Sequence, residues 1–164
     1  MHTKSIIRTL IQAAAPVALF ALAGPAAATA ILNPIIVIEP GGREASVKVL
    51  NDRPVAMTYR IAIINRRELP GGKFEDAEDT RPGEMFAADF LRFSPRQVTL
   101  SPGQLQSIRI LASRPNGLPP GEYKSFLKVE EIPTPEATAA ISGNGAAAIA
   151  AYLTQLMPIT VKQR

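Results

Sequence analysis

The sequence predicts an all-β fold, two antiparallel sheets packed as a sandwich of about seven strands. Three observations lead there. From Ile31 onward the chain divides into short runs rich in Val, Ile, Thr and Tyr, most of them alternating apolar with polar residues. The whole sequence has fifteen prolines and eleven glycines, and most of them punctuate those runs, as tight turns between short strands require. Outside one Ala-rich segment near the C-terminus, no stretch repeats its apolar residues at the helical period.

Residues 1–30 stand apart from that pattern. Lys4 and Arg8 mark a basic start, Ile11 to Leu22 is an apolar middle, and Ala28-Thr29-Ala30 is a small-x-small end. This is the three-part grammar of a secretory signal peptide, with cleavage after Ala30. The alternative is a retained membrane anchor. A span needs about 20 apolar residues, and this stretch is short and interrupted by proline. The folded part is then residues 31–164, a single domain large enough for its own core.

Within it the elements follow in order. Pro34 to Glu39 is short and β-branched, and Pro40-Gly41-Gly42 ends it. Ala45 to Asn51 alternates, with Val47 and Val49 on one face. Asn51-Asp52-Arg53-Pro54 is a turn, and Met57 to Ile64 is the next strand. Phe90 to Pro95 and Gln97 to Leu100 are strand pieces separated by a proline, which places them at a kink or a sheet edge. Ser101-Pro102-Gly103 turns the chain into Leu105–Leu111, which alternates until its last residue. Gly117 to Pro133, "GLPPGEYKSFLKVEEIP", opens on a turn, alternates through a long strand and closes on Ile-Pro. Thr134 to Gly145 reads as a flexible loop and Ala147 to Val161 as a long final strand. Ala, Leu and Gln leave a helix over residues 146–156 as the alternative. The strand count and alternation are those of an immunoglobulin-like sandwich, without the cysteines and tryptophan that mark antibody domains.

Composition excludes several kinds of chemistry. There is no cysteine, so disulfides, thiolate metal sites and thiol nucleophiles are absent together. The only histidine is His2, inside the expected signal, which removes Ser-His-Asp triads and His-ligated zinc from the mature chain. Carboxylates gather at Glu75, Asp76, Glu78, Asp79 and Glu84, in "LPGGKFEDAEDTRPGE". That stretch matches neither an EF-hand loop nor a two-carboxylate site, and reads as a mobile acidic surface loop. Arg66-Arg67, the densest basic pair, reads as a solvated loop end. The formal charge of +4 falls once Lys4 and Arg8 are removed, and the remaining cations are dispersed. No nucleic-acid partner is expected. No catalytic residue, metal site, cofactor or small-molecule substrate is expected either, so the reading is of a non-enzyme. A signal peptide with no cysteine points to a bacterial periplasm.

The order of motifs in the second half carries a resemblance. Pro95 to Gly103 has the form Pro-x-x-x-x-Leu-x-Pro-Gly and feeds an alternating strand. Leu118-Pro119, Glu122 and Glu131-Ile132-Pro133 frame the next strand, and a Gly-containing loop and a last strand follow. This arrangement resembles the N-terminal immunoglobulin-like domain of the PapD-like periplasmic chaperones of pilus assembly, in a divergent branch with Gly121-Glu122-Tyr123-Lys124-Ser125. The resemblance spans roughly Ile31 to Lys162. It implies a protein that binds pilus or other surface-protein subunits, and works with an outer-membrane usher, by lending its last strand to an incomplete sheet. Tyr123 to Glu131 would be the strand beside the donor, and Ala147 to Gln155 the donor. Ile149, Ala151 and Leu153 would face the subunit, with Tyr152 and Leu156 on the opposite side. The alternative is that this strand only completes the domain's own core.

Two departures accompany the resemblance. The family anchors the subunit's terminal carboxylate with a basic pair, but the matching positions here are Ile35 and Pro158, and Lys162 is the candidate basic anchor. The family also has a second immunoglobulin-like domain, and the expectation here is of the first alone, over residues 31–164. Three functions follow as expectations: a strand-donating periplasmic chaperone, an interaction module that forms a homodimer through the same edge, and, least favoured, a secreted enzyme using Glu75 to Glu84.

Overall fold

Burial alternates along the strands as the apolar residues do, and this alternation builds two sheets with one shared core. The computed structural model describes residues 30–32, 35–132, 134–135 and 153–164. Along the chain the strands are β1 (Ala30–Leu32), β2 (Ile36–Ile38), β3 (Glu44–Leu50), β4 (Met57–Ile64), β5 (Arg66–Leu69), β6 (Lys73–Asp76), β7 (Leu91–Ser94), β8 (Gln97–Leu100), β9 (Leu105–Ala112), β10 (Gly121–Ile132) and β11 (Thr154–Gln163). One sheet has the order β1-β3-β9-β7 and the other β2-β11-β10-β4-β8. This is the immunoglobulin-like sandwich expected from the sequence. Residues 1–29 of the expected signal, and most of the expected loop Thr134 to Gly145, lie outside the described residues, as does the part of the expected last strand before Leu153.

Val47, Val49, Ile108 and Ile110 from the first sheet meet Ile38, Met57, Tyr59, Leu127, Val129, Ile159 and Val161 from the second. Each set comes from alternate positions of its strand, so the opposite face of each strand is left to solvent. Asn51 is fully buried at the end of β3 and is satisfied on every side. Its Nδ2 donates to the carbonyls of Val55 and Leu100, and its Oδ1 accepts from the Arg53 amide and the Tyr59 hydroxyl. That network fixes the turn the sequence placed at Asn51–Pro54.

The interrupting proline falls between two edge strands. β7 ends the first sheet, β8 ends the second, and the cis Ser94–Pro95 bond lies between them. A proline, lacking an N–H for the ladder, is confined to such places.

Two expectations need correction. The sheets are not antiparallel throughout, because β2 runs parallel to β11, with Ile36 opposite Ile159 and Ile38 opposite Val161. The acidic stretch is also not a free loop. β5 and β6 pair as a hairpin across Leu69-Pro70-Gly71-Gly72, where Gly71 and Gly72 have φ of 88° and 74°. The chain beyond it is laid on β10. The Ala77 amide donates to the Asn65 carbonyl, the Ala87 amide to the Ser125 hydroxyl, and the Lys124 amide to the Met85 carbonyl. Arg67 is buried rather than solvated. It binds Glu84 through Nε and Nη2, Asp79 at 3.2 Å and Glu75 at 3.3 Å. A guanidinium can leave water only when its donors meet such acceptors, and the acidic residues supply them.

Candidate partner-binding edge

β11 is held unequally on its two sides. Toward β10 it is paired along its length, from Glu130 opposite Thr154 to Gly121 opposite Gln163. Toward β2 it is covered only over Ile159–Val161. Among the described residues, no strand pairs with Thr154–Pro158 on that side. A half-open edge presents main-chain hydrogen-bonding groups in an extended row, which is the template for adding another strand. Pro158, at the inner end of the open half, has no N–H to offer.

The two faces of this strand are distinct. Met157, Ile159 and Val161 are buried in the core, while Thr154, Leu156, Pro158 and Thr160 turn to the outer face. Leu153, just before the strand, has the parity of the core-facing set and is 36% exposed. Leu156 lies on the opposite face, as alternation required. Ile149 and Ala151, the other residues expected to face a partner, lie outside the described residues. Tyr123 to Glu131 does lie beside the last strand, within β10.

Ile35 and Pro158 each precede the Ile36–Ile159 pair by one residue, so the two expected anchor positions are neighbours. Both side chains are exposed, Ile35 by 70%. Phe126 lies opposite Pro158 on β10, and Ile64 opposite Phe126 on β4. The row Ile35, Pro158, Phe126, Ile64 therefore crosses the outer face as an apolar stripe where the resemblance implies a basic pair. Phe74, from the β5–β6 hairpin, stands edge-on to Phe126 with ring centroids 5.8 Å apart, and the Arg66 guanidinium lies 5.7 Å from the Phe74 ring centroid. Between hairpin and sheet lies an open pocket of about 520 Å³, lined by Arg66, Phe74, Lys124, Phe126 and Pro158 among others. Lys162 also reaches the outer face. Its Nζ is 3.1 Å from Glu39 Oε1, so an arriving carboxylate would compete with Glu39 for it.

The sequence reading missed the clamp at the start of β11. Glu131 is buried; its Oε1 accepts from Arg53 Nε at 3.3 Å and its Oε2 from Arg53 Nη2 at 2.7 Å. Oε2 also accepts from the Leu153 amide at 3.2 Å, and the Glu131 amide donates to the Leu153 carbonyl at 3.1 Å. The signal was available. Glu131 continues the core-facing series Tyr123, Ser125, Leu127, Val129, and a carboxylate at such a position requires a buried partner.

No family model matches the chain, and no curated protein matches it in sequence. Solved structures match its fold. The chaperone–tip adhesion subunit pre-assembly complex CsuC–CsuE, from the archaic Csu pili of Acinetobacter baumannii, aligns with a TM-score of 0.59 and 16% identity, over 84% of this chain and 53% of that one. The periplasmic chaperone SfaE aligns at 0.56 with 12% identity, over 84% and 58%. The seventh PapD-like domain of human CEP192 aligns at 0.52 with 16% identity, over 99% and 97%. At these identities the likeness is one of fold, and the fold is PapD-like. The chain spans about half the length of the two bacterial chaperone structures.

Proposed function

We propose that this protein is a chaperone-like factor of the bacterial periplasm that binds pilus or other surface subunits by adding its last strand to their sheets. The observation that carries the proposal is the open half of β11, Thr154–Pro158, extended on one side of β10 and uncovered by β2. A subunit whose sheet lacks a strand exposes unpaired backbone groups and an apolar groove, both unfavourable in water. An extended edge supplies the hydrogen bonds, and alternate side chains supply the groove filling. Ile149, Ala151 and Leu153 are the proposed filling residues, and Lys162 the proposed basic anchor. No catalytic step is part of the proposal. The fold likeness to a chaperone caught with a tip subunit, and to a periplasmic chaperone, supports this reading. The export signal read at residues 1–30 agrees with that compartment.

The CEP192 likeness favours a second reading. The same fold, matched over nearly the whole of both chains, occurs in a human protein as one domain among several. A PapD-like domain is therefore not in itself a pilus chaperone, and the open edge would serve a homodimer equally well.

Co-purification separates the two. The chain is expressed in a periplasm together with surface subunits encoded beside its gene, as wild type and as the Ile149→Asp/Leu153→Asp variant, with folding checked by circular dichroism. The expected result is a subunit recovered with wild type and lost with the folded variant. A discrete wild-type oligomer that the variant abolishes, with no subunit recovered, would replace the chaperone reading with self-association.

A further inference from the structure

The last core-facing position of β10 holds a charge where its series calls for an apolar residue. The Glu131 side chain is 2% exposed and its Arg53 partner 23%. Arg53 comes from the turn between β3 and β4, far from β11 in sequence. The carboxylate therefore joins three segments: the turn, the end of β10, and the backbone of Leu153.

The Leu153 contact has an unusual form. In an antiparallel ladder, alternate residue pairs exchange two backbone hydrogen bonds. Glu131 and Leu153 follow the Glu130–Thr154 pair in register, and the Glu131 amide does donate to the Leu153 carbonyl. The reciprocal donor, the Leu153 amide, goes to carboxylate Oε2. Among the described residues the side chain thus takes the last rung of the ladder, and Arg53 holds that side chain at two points. A hydrogen bond to an ionised and doubly held acceptor is stronger than one to a neutral carbonyl.

The open edge begins immediately after this rung. Among the described strands, β10 alone pairs with Thr154–Pro158, and the hold on Leu153 adds to that pairing. A strand end with one neighbour frays, and fraying raises the entropic cost of adding a partner strand. We infer that Glu131, fixed by Arg53, is a positioning residue that locks the start of β11 and preorganises its open edge for a partner strand. This rests on the proposed partner-binding role of that edge.

The test reads amide hydrogen exchange in the purified, partner-free protein. Glu131→Leu removes the acceptor and suits an apolar position. Arg53→Met/Glu131→Leu also removes the cation left behind, so that global stability is kept, as when buried ion pairs are replaced by apolar groups. In both, the Leu153 to Leu156 amides are expected to exchange about tenfold faster or more, while those of Ile108 and Ile110 keep their wild-type rates. Glu131→Gln, which retains an acceptor oxygen, should restore most of the protection. Wild-type exchange at Leu153 to Leu156 in the folded double variant would overturn the lock. So would an equal acceleration throughout the domain, which marks a stability residue only. Subunit capture by the double variant should fall about tenfold; unchanged capture despite lost local protection would overturn the positioning role. If wild type itself captures nothing, the functional reading fails, whereas the exchange data still decide whether the lock exists.

Discussion

At the residue scale, buried charge is the feature that separates this protein from a generic sandwich. Arg67 and Glu131 both leave water in ion pairs, and each ties a segment to the sheet that carries the open edge. Around Arg67, the carboxylates of Glu84, Asp79 and Glu75 hold the guanidinium well above its already high ordinary range, Glu84 most strongly. The reciprocal effect holds Glu84 at about 2 against an ordinary 4.5. The Arg67 hydrogen bond leads, opposed by desolvation and assisted by the Arg81 amide. A carboxylate with a lowered folded pKa stabilises the fold above its unfolded value, and that contribution fades as pH falls from 4.5 through about 2. Glu84→Gln should therefore melt below wild type at pH 7, and the gap should close between pH 4.5 and about 2. Thermal melts of both proteins over that range check it; a gap independent of pH would show that the charge is not responsible. The sequence displayed this cluster only as an excess of acid, because nothing local says that Arg67 points inward. Burial there is decided by the chain that returns across β10 from Ala77 to Ala87.

At the element scale, the strands legible in the sequence were those with a buried and a wet face. Met57–Ile64 has the expected bounds, and Leu105–Ala112 and Gly121–Ile132 lie within a residue or two of them. The β5–β6 hairpin was not read, although Pro70-Gly71-Gly72 is a turn signal between two short runs. Three of the four residues in each of its strands are charged, so alternation of apolar with polar residues carries no information in them. The parallel contact of β2 with β11 was illegible for another reason. Pairing between distant segments leaves no local mark, and the short run at Ile36–Ile38 reads the same whichever neighbour it has. Within β11 the two faces should respond differently. Ile159→Ala, at a fully buried position, is expected to lower stability by about 3 kcal/mol. Thr154→Ala, on the exposed side, should change it by less than about 0.5 kcal/mol. Urea unfolding measures both, and equal effects would mean that β11 does not contribute to the core as the structure has it.

At the scale of the whole molecule, the fold leaves two kinds of sheet edge. β7 and β8 are short strands beside the proline that carries the chain between the sheets, an arrangement that limits further pairing. β11 is longer, lies against the longest of the described strands, and is covered by β2 for only part of its length. Asymmetry of this kind makes one edge the natural place for an added strand. The same face carries the apolar stripe from Ile35 to Ile64 and the pocket under Phe74, so a partner seated on the edge would have an adjoining surface to cover. The sequence reading placed the donor at Ala147 to Gln155, of which only Leu153 to Gln155 lie among the described residues. It did not reveal that Ile35 and Pro158 stand side by side, because that adjacency is made by the parallel pairing.

Amide exchange on the complex tests the proposed edge most directly. The protein would be compared free and bound to a subunit recovered by co-purification, residue by residue along β8 and β11. New protection confined to the open half, Thr154, Gln155, Leu156 and Met157, is the expected result; Pro158 has no amide to report. Protection along Gln97–Leu100 instead, or binding with no change in β11, would contradict strand addition at this edge and place the partner elsewhere on the molecule.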